Sequence, residues 1–173
     1  MRFTRRRVLG MGGGLFAALS LPRTIAMAEK AVDLSMTGKP DGSRVWFDPI
    51  GIQIRIGQAV RWTNREAGNS HTATAYHPDN FDRPRRIPSD AEAWDSGYLL
   101  PGGSFSVTFT VPGVFDYYCI PHEMAGMVGR IVVGTPAPDW METLGSDDSL
   151  PEAALAAFPS VEEIIRKGMV RRS

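Results

Sequence analysis

Three residues within nine positions carry side chains that bind soft metals: Cys119, His122 and Met127. Cys119 is the only cysteine of the chain, and His122 is one of three histidines. A thiolate, an imidazole and a thioether form a soft donor set, which suits copper better than magnesium or calcium. They share one loop between two strand-like runs, so a single tight turn can aim all three at a point. A fourth ligand has to come from another part of the chain, and His71 is the candidate. Taken singly, a lone cysteine is a small buried hydrophobe and a lone histidine a surface or core residue. Together, at this spacing, they read as a metal constellation.

The elements that must hold these residues are strands. Ile50, Ile52, Ile54 and Ile56 alternate with Gly51, Gln53 and Arg55, the period of a strand with one buried face. Gly57 and Gln58 turn the chain, and residues 59–63 repeat the alternation with Val60 and Trp62 inward. A hairpin is the simplest expectation for this pair. Residues 64–70 form a polar loop ending at His71, and 72–76 read as a strand. Residues 77–94 are a long loop with three prolines, a length that points to a functional role. Residues 95–100 read as extended. Phe105, Val107, Phe109 and Val111 alternate with Ser106, Thr108 and Thr110, the clearest strand signal. Residues 114–118 lead into Cys119, and 127–133 are expected to be the last strand. Strands about ten residues apart, with turn signals between them, indicate an all-β sandwich or barrel.

The two ends differ in character. Residues 1–28 read as an export leader. Arg2, Arg5, Arg6 and Arg7 precede an apolar run from Val8 to Leu21, and Ala26-Met27-Ala28 offers a small-residue cleavage site. The segment from Thr4 to Gly10 resembles the twin-arginine export motif, with Val8 and Gly10 departing from the usual Phe and Lys. The 14-residue apolar run is short of the about 20 residues a membrane span needs, so no stable insertion is expected after cleavage. The formal net charge of the whole chain is zero, but the leader's five arginines leave 14 Lys+Arg against 19 Asp+Glu, a net of −5. A mildly acidic exported protein is a poor nucleic-acid binder. A single cysteine rules out an internal disulfide framework in an oxidising compartment, and a lone thiol there needs burial or a metal. Beyond residue 133, Pro136 and Pro138 stiffen a connector. A helix is expected from Leu150 to about Phe158. A second opens with Ser160 as N-cap and Glu163 as its capping-box partner, with Val161, Ile164, Ile165 and Met169 as an apolar stripe. These helices are expected to pack on the sandwich; a partner-binding tail is the alternative. The expected division is 1–28 leader, 29–133 copper domain and 134–173 linker with helical extension.

Between about residues 44 and 133 the chain resembles the cupredoxins, the type 1 blue-copper proteins of the plastocyanin and pseudoazurin kind. The residues that carry the resemblance are Val45-Trp46-Phe47-Asp48-Pro49 with the isoleucine strand, Val60-Arg61-Trp62-Thr63-Asn64, His71, and Tyr118-Cys119-Ile120-Pro121-His122 through Gly126-Met127-Val128-Gly129. The resemblance implies a Greek-key β-sandwich of about eight strands, with His71, Cys119 and His122 as equatorial copper ligands and Met127 as the weak axial one. Met124 competes for the axial place, but the family spacing selects Met127. The family usually has Asn after the first histidine, where it ties the two ligand loops together; here Thr72 stands, with a hydroxyl in reach of a similar bond. Ile120, Pro121, Met124, Ala125 and Gly126 are expected to surround His122 with an apolar patch where redox partners dock. His77 lies outside the pattern and reads as a surface loop histidine. Arg83, Arg85 and Arg86 read as a solvated basic run, with docking of an acidic partner as the sharper option.

The implied function is that of an exported, periplasmic or otherwise extracytoplasmic, monomeric one-electron carrier with no catalytic residues. Further copper centres of an oxidase need further histidines, and only His77 remains after two are assigned. A dinuclear copper centre needs two cysteines. A copper-delivery protein, or an accessory copper subunit of an oxidoreductase, is the alternative, although the eight methionines are dispersed and form no metal-rich tract. A cysteine hydrolase lacks an evident oxyanion site or substrate pocket.

Overall fold

Strand β4 (Gln58–Asn64) shows how alternation becomes architecture: Val60, Trp62 and Asn64 are buried while Arg61 is exposed. The structure, a computed structural model, describes residues 30–39, 44–143 and 149–172. The expected export leader, residues 1–28, and most of the expected turn at 39–43 lie outside the described residues. Strands β1 (Val32–Gly38), β2 (Val45–Asp48), β4 and β6 (Ser104–Phe109) form one sheet in the order β2-β1-β4-β6. Strands β3 (Gly51–Ile54), β5 (Thr74–Ala75), β7 (Gly113–Tyr118), β8 (Val128–Val133) and β9 (Met169–Val170) form the other, in the order β5-β7-β8-β3-β9. The expected all-β sandwich is present, with nine strands among the described residues. Its inner faces meet in a core that includes Leu34, Phe47, Ile52, Trp62, Phe109 and Ile131. Trp62 is the hub, with the rings of Trp94, Phe105, Phe109 and Tyr117 around it.

Two strand expectations are corrected. The isoleucine run and β4 do not form a hairpin. β3 pairs in parallel with β8, whereas β4 pairs with β1 and β6 in the opposite sheet, so the turn at Gly57 carries the chain across the sandwich. The run is also shorter than its period. Ile50 precedes the strand and packs on the outer side of its sheet, and Ile56 is 56% exposed. Alternation reports which face a side chain occupies, not which neighbour its backbone chooses. Residues 95–100 make only isolated bridges, Thr74 with Asp95 and His71 with Leu99.

β7 and β8 are buried at every position because both faces of their sheet are covered. The outer cover is the C-terminal segment. Helix α1 (Glu152–Ala157) sets Ala154 with Leu150 against Tyr76, Tyr118 and Val128. Helix α2 (Val161–Lys167) sets Val161 and Ile164 against Ile50, Val114 and Val132. Packing of the helices on the sandwich is therefore observed. Ser160 caps α2 by accepting from Glu163 N, 3.1 Å away, but the Glu163 carboxylate binds Lys167, so the capping box is half formed. The apolar stripe is narrower than expected, since Ile165 and Met169 are exposed. Residues 127–133 are not the last strand either: after α2 the chain adds β9 to the edge of β3. Beneath the helices Asp116 is fully buried between Arg86 and Arg130, and Arg130 also donates to Pro159 O at 3.0 Å.

Candidate metal centre

β7 and β8 pair up to Tyr118 opposite Val128, so the loop between them must close at once. It does so as a 3-10 turn, Ile120–Ala125. Cys119 N donates to Met127 O at 3.0 Å, His122 N to Cys119 O at 3.0 Å, and Met127 N to His122 O at 3.1 Å. Gly126 ends the turn at φ 75°, a left-handed conformation that glycine adopts without steric cost, and donates to Glu123 O at 2.8 Å. The first and last residues of the loop, Cys119 and Met127, thus stand opposite each other, with His122 between them. His71 arrives from the other side. Its backbone exchanges two hydrogen bonds with Leu99, and the chain then runs into β5, whose Thr74 pairs with Tyr118.

These supports bring His71 Nδ1 to 3.6 Å and His122 Nδ1 to 3.4 Å from Cys119 Sγ. One donor atom from each residue lies within 4.8 Å of the others. Met127 is fully buried in the same core as Cys119, whereas Met124 is 77% exposed. Of the two candidate thioethers, only Met127 is thus buried with Cys119. His71 is fully buried and His122 half-buried, so one imidazole faces the protein and the other faces water. Burial pushes the Cys119 thiol up to about 11, against the opposing hydrogen bonds of Thr72 and His122. A metal ion held there would favour the thiolate form at neutral pH, with the thiol proton given up to solvent. Burial, and then the neighbouring His71, lower the His122 pKa and keep its imidazole neutral, the form that ligates. Two imidazoles and a buried thiol, with Met127 buried at the end of the same loop, fit the donor set of a type 1 copper centre.

The family model for copper-binding proteins of the plastocyanin/azurin family matches residues 34–134. The chain belongs to this family. It is similar to chloroplastic plastocyanin of Tetradesmus obliquus, 33% identical over 128 residues that cover 74% of this chain and 81% of that one. Chloroplastic plastocyanin of Chlamydomonas reinhardtii is 32% identical over 133 residues, covering 77% and 86%. Among solved structures, a pseudoazurin from Sinorhizobium aligns with a TM-score of 0.57 at 27% identity, covering 79% of this chain and 94% of that one. The pseudoazurin of Methylobacterium extorquens AM1 has the same fold, with a TM-score of 0.57 at 20% identity and coverage of 80% and 99%. The resemblance to cupredoxins is therefore established, and copper is the cofactor of the family. Plastocyanin- and pseudoazurin-like cupredoxins are electron carriers rather than enzymes. No helix among the described residues is long and apolar enough to cross a membrane.

In this cupredoxin Thr72 makes the tie between the ligand loops. Its Oγ1 accepts from Ile120 N at 2.9 Å, and its own N–H donates to Cys119 Sγ at 3.3 Å. Thr72 Oγ1 also lies 2.9 Å from Thr74 Oγ1, which donates to Asp95 at 2.7 Å. The hydroxyl thus makes the bond between the two loops that was expected to be in its reach.

Four residues near the site were not visible as site residues in the sequence. Glu66, in the polar loop, places Oε2 2.7 Å from His71 Nε2. Glu123, next to His122, is buried and bonded to the Tyr76 hydroxyl and to Arg83. Tyr98 and Leu100 are exposed on the loop that bridges to His71. A carboxylate a few residues from a ligand histidine is too common a pattern to single out Glu66. Two surface readings are corrected. His77 is buried, with only 6% of its surface exposed, and its Nδ1 accepts from Asp79 N at 3.1 Å. The Arg83–Arg86 run is not a free basic face: Arg86 is buried against Asp116, and Arg83 pairs with Glu123 beneath the ligand loop.

Proposed function

We propose that this protein is an exported type 1 copper protein that carries single electrons between redox partners. His71, Cys119 and His122 hold the copper, with Met127 as the axial ligand. The observation that carries this reading is the cluster of one buried thiol and two imidazoles within 4.8 Å, on a scaffold already rigid around them. Bound copper supplies the one-electron couple between Cu(II) and Cu(I). The chain's own contribution is to fix the donors. The Cys119 backbone is held by Met127, its sulfur receives the Thr72 N–H, and the His71 ring is held at its far nitrogen. Donors that do not move between redox states keep reorganisation small, which favours fast transfer.

Electrons enter and leave at the half-buried edge of His122. Exposed Pro121, Met124 and Ala125 flank it, and Tyr98 and Leu100 add apolar surface on the His71 side of the loop cluster. A small apolar patch suits brief encounters with redox proteins. Residues 1–28 act as the leader that sends a monomer to the periplasm or another extracytoplasmic compartment. Residues 29–133 form the copper domain, and 134–173 the extension that covers its outer sheet. The test is loading the purified mature protein with Cu(II). An intense blue colour that bleaches reversibly on one-electron reduction is expected; a colourless complex, or one with only weak tetragonal copper signals, overturns the reading.

A further inference from the structure

We infer that Glu66 is a positioning residue for the copper site, an anionic partner that fixes His71 and biases the centre toward Cu(II). The inference rests on the copper reading above and deepens it. His71 has two ring nitrogens with different neighbours. Nδ1 faces Cys119 Sγ at 3.6 Å, and Nε2 lies 2.7 Å from Glu66 Oε2. A carboxylate can only accept, so the Nε2 nitrogen carries the proton and Nδ1 keeps its lone pair toward the sulfur. The His71 ring is fully buried and the Glu66 side chain nearly so, which makes this contact a short charge-assisted bond in a low-dielectric setting.

Glu66 is held as firmly as it holds. Its Oε1 accepts from Asn69 Nδ2 at 2.6 Å, and its backbone N–H donates to Asn64 Oδ1 at 2.9 Å. Asn64 in turn donates to Asn69 O at 2.8 Å and to Leu99 O at 2.9 Å, the same Leu99 that brackets the His71 backbone. The neighbouring strand makes room for it. A Cβ at Gly38 would lie 2.6 Å from Glu66 Oε2 and 2.8 Å from its carboxyl carbon, so the carboxylate occupies space that only a glycine in β1 leaves open. A loop built only to reach His71 has no use for a buried carboxylate, which costs desolvation unless it is paired.

The charge has a direction. A carboxylate on the far nitrogen makes the imidazole a stronger donor, and it stabilises the doubly charged ion more than the singly charged one. The centre is therefore biased toward Cu(II), and its reduction potential is held down. The half-buried His122 has no carboxylate among its observed ring contacts, so the direct carboxylate bond goes to the buried histidine, while the same charge also acts through space on Cys119 and His122.

The experiment compares wild type, Glu66→Gln, Glu66→Ala and Asp33→Asn, the last removing an exposed carboxylate from β1. Each is loaded with copper, and its electronic spectrum, midpoint potential and Cu(II) affinity are measured. Glu66→Gln keeps an acceptor for Nε2 and loses the charge. It should remain blue while the Cu(II)-over-Cu(I) preference falls about tenfold, equal to about +59 mV for a one-electron couple. Glu66→Ala loses both and should also lose about 10–100-fold in Cu(II) affinity. Asp33→Asn should match wild type. A potential for Glu66→Gln that moves no more than that of Asp33→Asn overturns the inference while leaving the copper reading intact. A wild-type protein that takes no blue colour overturns the copper reading itself. If Glu66→Ala fails to fold, Glu66→Gln decides the question alone.

Discussion

The two loops that meet at the candidate copper site are built on opposite plans. The loop carrying His71 is closed and polar. Its ligand is fully buried, and side chains of Asn64, Glu66 and Asn69 bond one another and the backbone around it. The loop carrying Cys119, His122 and Met127 is shaped by its own backbone, wound into a 3-10 turn between two paired strands and anchored from outside by Thr72, Tyr76 and Arg83, and it leaves His122 and Met124 toward solvent. One loop has polar side chains that set the electronic environment, and the other has small and apolar residues that leave an approach open. In the proposed electron carrier, separating these two tasks would let the potential and the docking surface be altered independently. Thr72 is where they join, through its hydroxyl to Ile120 N and its N–H to Cys119 Sγ.

The contrast can be broken at three levels. The largest effect is expected from Cys119→Ser, which removes the thiolate from the open loop. The blue colour should vanish completely while the apo fold persists, measured by absorbance and by circular dichroism. Retained blue colour would place the copper elsewhere. Next is Thr72→Val, which keeps the shape and deletes the oxygen that joins the loops. The Ile120 N–H then loses its acceptor, at a cost of about 1–3 kcal/mol in denaturant unfolding. No loss would mean that the loops are held together without this bond. The smallest effect is pH-dependent. Folding raises the Cys119 pKa from its ordinary value of 9.0 to about 11, so above pH 9 the unfolded chain releases a proton that the apo fold retains. Stability from this group is complete below pH 9 and falls as pH rises toward 11, by roughly 1 kcal/mol at pH 10. Wild-type apoprotein should lose that much more stability than Cys119→Ser over the same range; equal slopes would show that the thiol is not held in its neutral form.

The open loop was legible in the sequence because its function is written in adjacent positions. Cys119, His122 and Met127 each have a rare side chain, and the strands that aim them alternate or run apolar on either side. The closed loop was not. Asn64, Glu66 and Asn69 are ordinary loop residues whose role exists only once Leu99 and Gly38, distant in sequence, stand beside them. The same distinction explains the fold. Alternation identified β4 and β6 and their inward residues, but it is silent on partners, so the expected hairpin of β3 with β4 gave way to pairing across the sandwich. His77 and Arg86 looked solvated because charge and loop position usually mean exposure. Their burial depends on Asp79 and Asp116, and on aromatic rings such as Phe158 that the C-terminal helices supply.

The two-residue strand β9 has a consequence for how copies of this protein meet. Without it β3 would present a row of unpaired backbone groups at the rim of the five-stranded sheet, a template on which another molecule can lay a strand. Val170 O and Gly168 O accept from Ile50 N and Gln53 N at 3.0 and 2.8 Å, and so occupy that rim. The β9 segment thus covers the β3 edge against strand exchange between neighbours. An electron carrier that must collide and separate repeatedly gains from having this sticky edge already filled, and any shortened version that stops at residue 133 gives that protection up.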